Sequence, residues 1–256
     1  MNPNASFAEV VAGLERGEIR VAEKIDGVWK VNAWIKETIL EGFRAGVLAD
    51  YSQGQFPFFD KDDLPLRRFT LEDRVRIVPG GTGVRCGAYL APGVIVMPPS
   101  YINIGACVEE GSMIDSHVTV GSCAQVGKGV HVSAATQLGG VLEPAGALPV
   151  IVEDGAFIGG NCGIYEGTIV REAAVVGSGV IITRGTALYD AVSGAFVPKT
   201  PDGRTVVPAG AVVVAGSRPV TKGPAREAGI QLYTPVIVKY RDGKTAASVE
   251  LETLLR

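Results

Sequence analysis

At 256 residues, with 46% hydrophobic and 20% charged side chains, the chain can bury a sizeable core as one long domain or one domain with a small appendage. A formal net charge of −3 excludes the broad basic field of a nucleic-acid binder, so an anionic ligand must be held by locally placed Arg, Lys or backbone N–H groups. The 34 glycines are well above the usual share and need a structural reason.

The opening MNPNASFAEV has no basic stretch leading into an apolar run, and no segment approaches the roughly 18 apolar residues of a membrane span. The expected location is therefore the cytoplasm, with no membrane partner. Residues 1–76 read as a helical domain and connector. SFAEVVAGLERG and VNAWIKETILEGFRAG are amphipathic at helical spacing, around a short turn at KIDGVWK. Residues 51–76 read as a loop or extended connection.

From Ile77 the chain divides into hexads: IVPGGT, GVRCGA, YLAPGV, IVMPPS, YINIGA, CVEEGS, MIDSHV, TVGSCA, QVGKGV, HVSAAT, QLGGVL. The second position is aliphatic throughout, from Val78 and Val84 to Val132 and Leu138, and the sixth is small or β-branched from Thr82 through Thr136. The fifth is usually Gly, as at Gly81, Gly87, Gly93, Gly105, Gly111, Gly129, Gly155, Gly167, Gly179 and Gly185. The period is interrupted at EPAGALPV, resumes from Ile151 to Thr186, breaks again at DAVSGAFVPKTPDGR and returns in VVPAGA and VVVAGS.

A short strand followed by a bend that tolerates positive φ, repeated every six residues, closes a triangular coil from three strands and stacks one aliphatic side chain per face. Helical packing would need apolar spacing of about 3.6, and a hairpin sandwich would not keep a fixed period. The expected fold is mainly β: a parallel β-helix over 77–217 with loop insertions near 143–150 and 190–204. The segment 218–256 should add one strand in YTPVIVKYR, closed by Asp-Gly, and a short helix in ASVELETLLR.

The hexads resemble those of the hexapeptide-repeat acyltransferases, whose coils wind left-handed against the usual crossover rule. Within that superfamily, INIGACVEEGSMIDSHVTVGSCAQVGK with GGVLEP, RVAEKIDGVWKVNAWIKETILEGFR and FFDK resemble the tetrahydrodipicolinate N-succinyltransferases. The similarity covers most of residues 20–240. It implies succinyl transfer from succinyl-CoA to the amine of an acyclic 2-amino-6-oxopimelate, in lysine and diaminopimelate biosynthesis. It also implies a homotrimer with sites between subunits. CoA enters as a co-substrate, with no permanently bound cofactor and no metal.

On this resemblance Asp115, in MIDSHV, maps onto a substrate-binding aspartate. Its third hexad position places it on an exposed corner, where a carboxylate can hold an ammonium and take its proton. The alternative is a turn-capping Asp. Arg76, in RIVPG, matches an arginine that grips a substrate carboxylate, with a surface ion pair as the bland reading. Glu166, in GIYEGT, is a second acid/base candidate, as is Glu143 in GGVLEP; a solvated turn glutamate is the plainer reading of each. The family position three residues before Glu166 can carry a glutamate, but here it is Gly163, which leaves the second carboxylate open.

His117 occupies a fifth position and suits a left-handed corner; His131 opens HVSAAT. For CoA, Gly139, Gly140, Gly216 and Lys222 are the expected contacts. Cys86, Cys107, Cys123 and Cys162 have no CxxC spacing and suit buried packing in a reducing compartment better than nucleophilic catalysis. Competing functions are an acetyltransferase on the same amine or a sugar, and a catalytically silent β-helix scaffold. A zinc enzyme would want three histidines, and the chain has 2.

Overall fold

A computed structural model describes residues 5–242, so the helix expected in ASVELETLLR lies outside the described residues. Ser6 starts the first helix, α1 (Phe7–Glu15), with a capping box: its hydroxyl accepts from the Glu9 amide while the Glu9 carboxylate accepts from the Ser6 amide at 2.8 Å. Helix α2 (Ala33–Ala45) buries Ile35 and Ile39 against Val10 and Leu14 of α1. The turn expected between them is the tip of a β-hairpin. Ala22–Ile25 pairs antiparallel with Val28–Val31, and Asp26 and Gly27 both take positive φ at the bend. A second hairpin, Leu48–Asp50 with Phe59–Lys61, replaces part of the loop expected over 51–76.

From Arg76 the chain winds through three parallel sheets, which we number in chain order. The first face opens with Arg76–Ile77, the second with Gly83–Val84, the third with Tyr89–Leu90. Each strand pairs with the strand one coil later, as in Met113↔His131 and Ile114↔Val132. The fold is a left-handed parallel β-helix. Inward residues such as Val120, Val126, Ile158 and Val176 are at most 1% exposed, and burying each aliphatic side chain stabilises by about 1.5–3 kcal/mol.

The first hexad departs from the expected frame. Ile77, not Val78, lies in register with Val96, so the first corner holds one extra residue, with Gly80 and Gly81 both at positive φ. Elsewhere the fifth position is left-handed even without glycine, at His117, Cys123, Ala135, Asn161 and Ala173. Gly185 does not adopt that conformation. The second insertion carries a small hairpin, Tyr189–Asp190 with Ala195–Phe196. The tail folds back as Ser217–Pro219 with Gln231–Tyr233, and Val236–Tyr240 pairs antiparallel with Ala211–Val214. Among the described residues no helix is long and apolar enough to cross a membrane.

The three faces end up unequal. On the third, the outward residues Cys107, Gln125, Ile151 and Ile169 are buried; the N-terminal hairpin lies on Ile151 and Ile169 through Ala22, Trp29 and Val31, and the two helices pack on the adjoining corner residues Cys86, Ile104 and Cys123. Glu153 pins this cover. Its carboxylate accepts from Trp29 Nε1 at 2.7 Å and pairs with Lys24 at 2.9 Å and Arg171 at 3.1 Å. Burial alone would raise this carboxyl, but the Glu172 amide, Trp29, Lys24 and the Arg171 charge hold it down at about 2. Lys36, fully buried on α2, donates to the Ala147 carbonyl at 2.7 Å and so ties the first insertion to the helical cover. Burial pushes its ammonium down.

A carboxyl held below its ordinary value contributes stability above the unfolded value, which is lost as the pH falls through the folded one. Glu153→Gln is therefore expected to lower unfolding free energy at neutral pH by about 2–4 kcal/mol. In urea titrations the gap to wild type should close between pH 4.5 and about 2.

Candidate functional site

Asp115 follows the first-face strand Met113–Ile114 and stands, partly exposed, at the corner leading to the second face. One carboxylate oxygen accepts from the Ser116 amide at 2.7 Å; the other lies 3.9 Å from His131 Nε2. His131 is the buried outward residue of the next rung, its ring centroid 5.0 Å from that of Phe157. The histidine beside Asp115 is thus His131, while exposed His117 turns the corner at φ 62°. Hexad arithmetic contained this pairing: residue 131 stacks one coil after residue 113, at the foot of the Asp115 corner.

Arg76 is exposed at the first outward position of the same face, two rungs from Met113 through Ile95. Arg76 and Asp115 therefore share one face. Glu166 does not join them. It stands exposed at the opposite edge of the second face, where its carboxylate accepts from the Arg184 amide at 3.1 Å. Glu143 is exposed in the first insertion.

The expected CoA contacts are spread along the coil. Gly139 and Gly140 follow the second-face strand Gln137–Leu138, and two further strands of that sheet lie beyond them. Gly216 lies past the last first-face strand, packed so closely that a Cβ there would sit 2.7 Å from Val236. Lys222 is exposed next to a shallow cavity of about 440 Å³ lined by Thr221, Arg226 and Ile230. A ligand touching all four would have to run along the coil.

Tyr165 was not anticipated. Its ring folds back over the outer surface of the second face. A Cβ on Gly139 would lie 2.7 Å from Tyr165 Cδ1, and one on Gly163 would collide with Cε2. Both glycines thus clear space for one ring, and Gly163 is buried beneath it. All four cysteines are buried. Desolvation raises the thiols of Cys86, Cys107 and Cys123 to about 12, which leaves no thiolate to act as a nucleophile near neutral pH.

A cleft of about 960 Å³ opens between the second hairpin and the first rungs of the second face. Phe58, Phe59, Tyr101, Arg68, Arg85 and His117 are among its lining residues, and of these only His117 stood out as a possible site residue in the sequence.

Comparison with known proteins places these features. Residues 3–45 match a family model described as the tetrahydrodipicolinate N-succinyltransferase N-terminal region, and residues 149–184 match the hexapeptide repeat of succinyl-transferase. The chain is 44% identical over 252 residues to the 2,3,4,5-tetrahydropyridine-2,6-dicarboxylate N-succinyltransferase of Acinetobacter baylyi, covering 97% of this chain and 88% of that protein. It is 42% identical to the enzyme of the same name from Sodalis glossinidius, with 97% and 87% covered, and 44% identical to that of Idiomarina loihiensis, with 96% and 87% covered.

The Tyr165 slot makes a structural prediction. Gly163→Ala should destabilise by about 1–3 kcal/mol through overpacking. Much of that loss should disappear in a Tyr165→Ala background, read as a coupling energy in a double-mutant cycle by chemical denaturation.

Proposed function

This chain belongs to the 2,3,4,5-tetrahydropyridine-2,6-dicarboxylate N-succinyltransferase family, and from that membership we infer that it moves a succinyl group from succinyl-CoA to the amine of 2-amino-6-oxopimelate, the opened form of tetrahydrodipicolinate, in lysine and diaminopimelate biosynthesis. The observation that carries this reading is full-length similarity at 44% identity, which spans both the helical cover and the coil.

The acceptor amine is protonated in water and must lose a proton before it attacks the thioester. Asp115, an open carboxylate on a rigid corner, holds the ammonium and takes that proton. Arg76, on the same face, offers a planar fork to an acceptor carboxylate. As nitrogen bonds to the thioester carbon, its oxygen becomes an oxyanion that preorganised N–H donors stabilise. Collapse releases CoA as the thiol and leaves the amide. Glu166 serves as a further acid/base group only where a second copy brings it to the site. Gly139, Gly140, Gly216 and Lys222 are the proposed contacts along the CoA arm. CoA is a co-substrate here, and the reading includes no permanently bound cofactor.

The covered third face leaves the first and second faces to meet other copies. In a cyclic trimer each first face packs against a second face of the next subunit, a heterologous contact that closes after three. The outward first-face residues Ile95, Met113, Phe157 and Val175 suit such a contact. We place the enzyme in the cytoplasm as a homotrimer with no nucleic-acid or membrane partner.

Thiol release should show a clear kcat/KM preference for succinyl-CoA over acetyl-CoA, in a species that sediments as a trimer. Equal rates, or a preference for acetyl-CoA, would move the chain to an acetyltransferase. Asp115→Asn should lower kcat by roughly 10²–10⁴ with little change in stability. Arg76→Lys should mainly raise the acceptor KM. Near-normal turnover in Asp115→Asn, with activity lost in His131→Ala, would transfer the base to histidine.

A further inference from the structure

The cleft of about 960 Å³ is lined by His117, two residues beyond Asp115, and by neither Asp115 nor His131. Three arginines line it, Arg67, Arg68 and Arg85, against one carboxylate, Asp60. Arg67 is already engaged: it donates to the Ala88 carbonyl at 2.7 Å and stands 3.6 Å from Asp73. Arg85 is held by Asp60 through one terminal nitrogen, while its Nε is buried without a hydrogen-bond partner among the described residues. Thr82, another lining residue, likewise has a buried and unpartnered Oγ1. Arg68 is exposed and pairs with no carboxylate among the described residues.

A buried polar atom without a partner costs about 1–3 kcal/mol, and two among the residues of one cleft are a poor arrangement for packing alone. A carboxylate is the acceptor that such donors lack, and it neutralises the excess positive charge. Phe58, Phe59, Tyr101 and Leu66 give the same cleft apolar surface that suits a methylene chain. The cleft also shares a turn with the site already described. Ser100 lines it and donates to the Asp115 backbone carbonyl at 2.8 Å, and His117 lines it two residues beyond Asp115.

We propose that this cleft is a subsite for one carboxylate of the dicarboxylate acyl acceptor, with Thr82, Arg85 and Arg68 as the binding groups and the Phe58–Phe59 wall enclosing its chain. The inference rests on the acyl-transfer reading above and adds residues to which that reading gives no role.

The test uses the full-length protein and pimelate, a dicarboxylate with no amine, as the calorimetric probe. Thr82→Val removes one unpartnered hydroxyl at nearly constant volume, and Arg68→Gln leaves the Arg85–Asp60 pair intact; neither should lower the melting temperature, and Thr82→Val should raise it. Each variant should weaken pimelate binding about tenfold, since a hydrogen bond to a charged group is of that order. The same variants should raise the acceptor KM by a similar factor and move the succinyl-CoA KM by less than about twofold. Unchanged pimelate affinity in both variants, or no pimelate binding by the wild type, overturns the subsite. So does a rise confined to the succinyl-CoA KM, which would give the cleft to the free carboxylate of the donor. Pimelate binding lost in the variants of a wild type that transfers no succinyl group would instead sink the functional reading and leave a dicarboxylate site standing.

Discussion

Most corners of the coil turn the chain inside one hexad through a residue at positive φ. Glycine meets that requirement at most fifth positions, but His117, Cys123, Ala135, Asn161 and Ala173 are forced into the same conformation, with φ from 55° to 68°. A non-glycine residue there costs on the order of 1–2 kcal/mol. It persists because the aliphatic stack above and below, and the inter-rung hydrogen bonds, fix the corner on both sides. Asp115 gains its rigidity from this constraint. It follows fully buried Ile114, its carbonyl is bonded by Ser100, and its chain continues into a left-handed corner.

A triangular coil begins with three equivalent faces, and this chain makes them inequivalent by covering one. The helices and first hairpin close the third face, with Glu153 and Lys36 as buried charges whose partners come from distant segments. Burying charge is costly and is tolerated where the partner geometry is complete. Glu153 satisfies that condition through Trp29, Lys24, Arg171 and the Glu172 amide. The consequence for function is directional: Arg76 and Asp115 lie on an open face, and the cleft beside Asp115 opens onto the other.

The sequence displays its period but not its long-range contacts. The aliphatic second position and the glycine corners identified the coil, its two insertions and the exposed corner of Asp115. The extra residue in the first corner was hidden because Ile77 and Val78 are both aliphatic, so either fits the frame. The N-terminal hairpin was read as a turn because its strands are only 4 residues each. Tyr165 over Gly139 and Gly163 needs a side-chain direction that no period encodes. The cleft joins residues 51–68 to corners at 81–85, 99–101 and 117–119, which no local pattern links. The Asp115–His131 neighbourhood was different: counting one full coil from residue 113 would have found it.

In the proposed mechanism the chain is a scaffold for direct transfer, in which the acceptor amine attacks the thioester and no side chain carries the succinyl group. Four buried cysteines with thiols raised by desolvation agree with that chemistry. Intact-protein mass spectrometry during turnover tests it most directly. With succinyl-CoA alone the protein mass should stay unchanged and no CoA should be released. On addition of the amine, CoA and N-succinylated product should appear one for one. A protein mass raised by one succinyl group, formed before the acceptor is added and discharged by it, would contradict direct transfer and require a nucleophile that this structure does not assign.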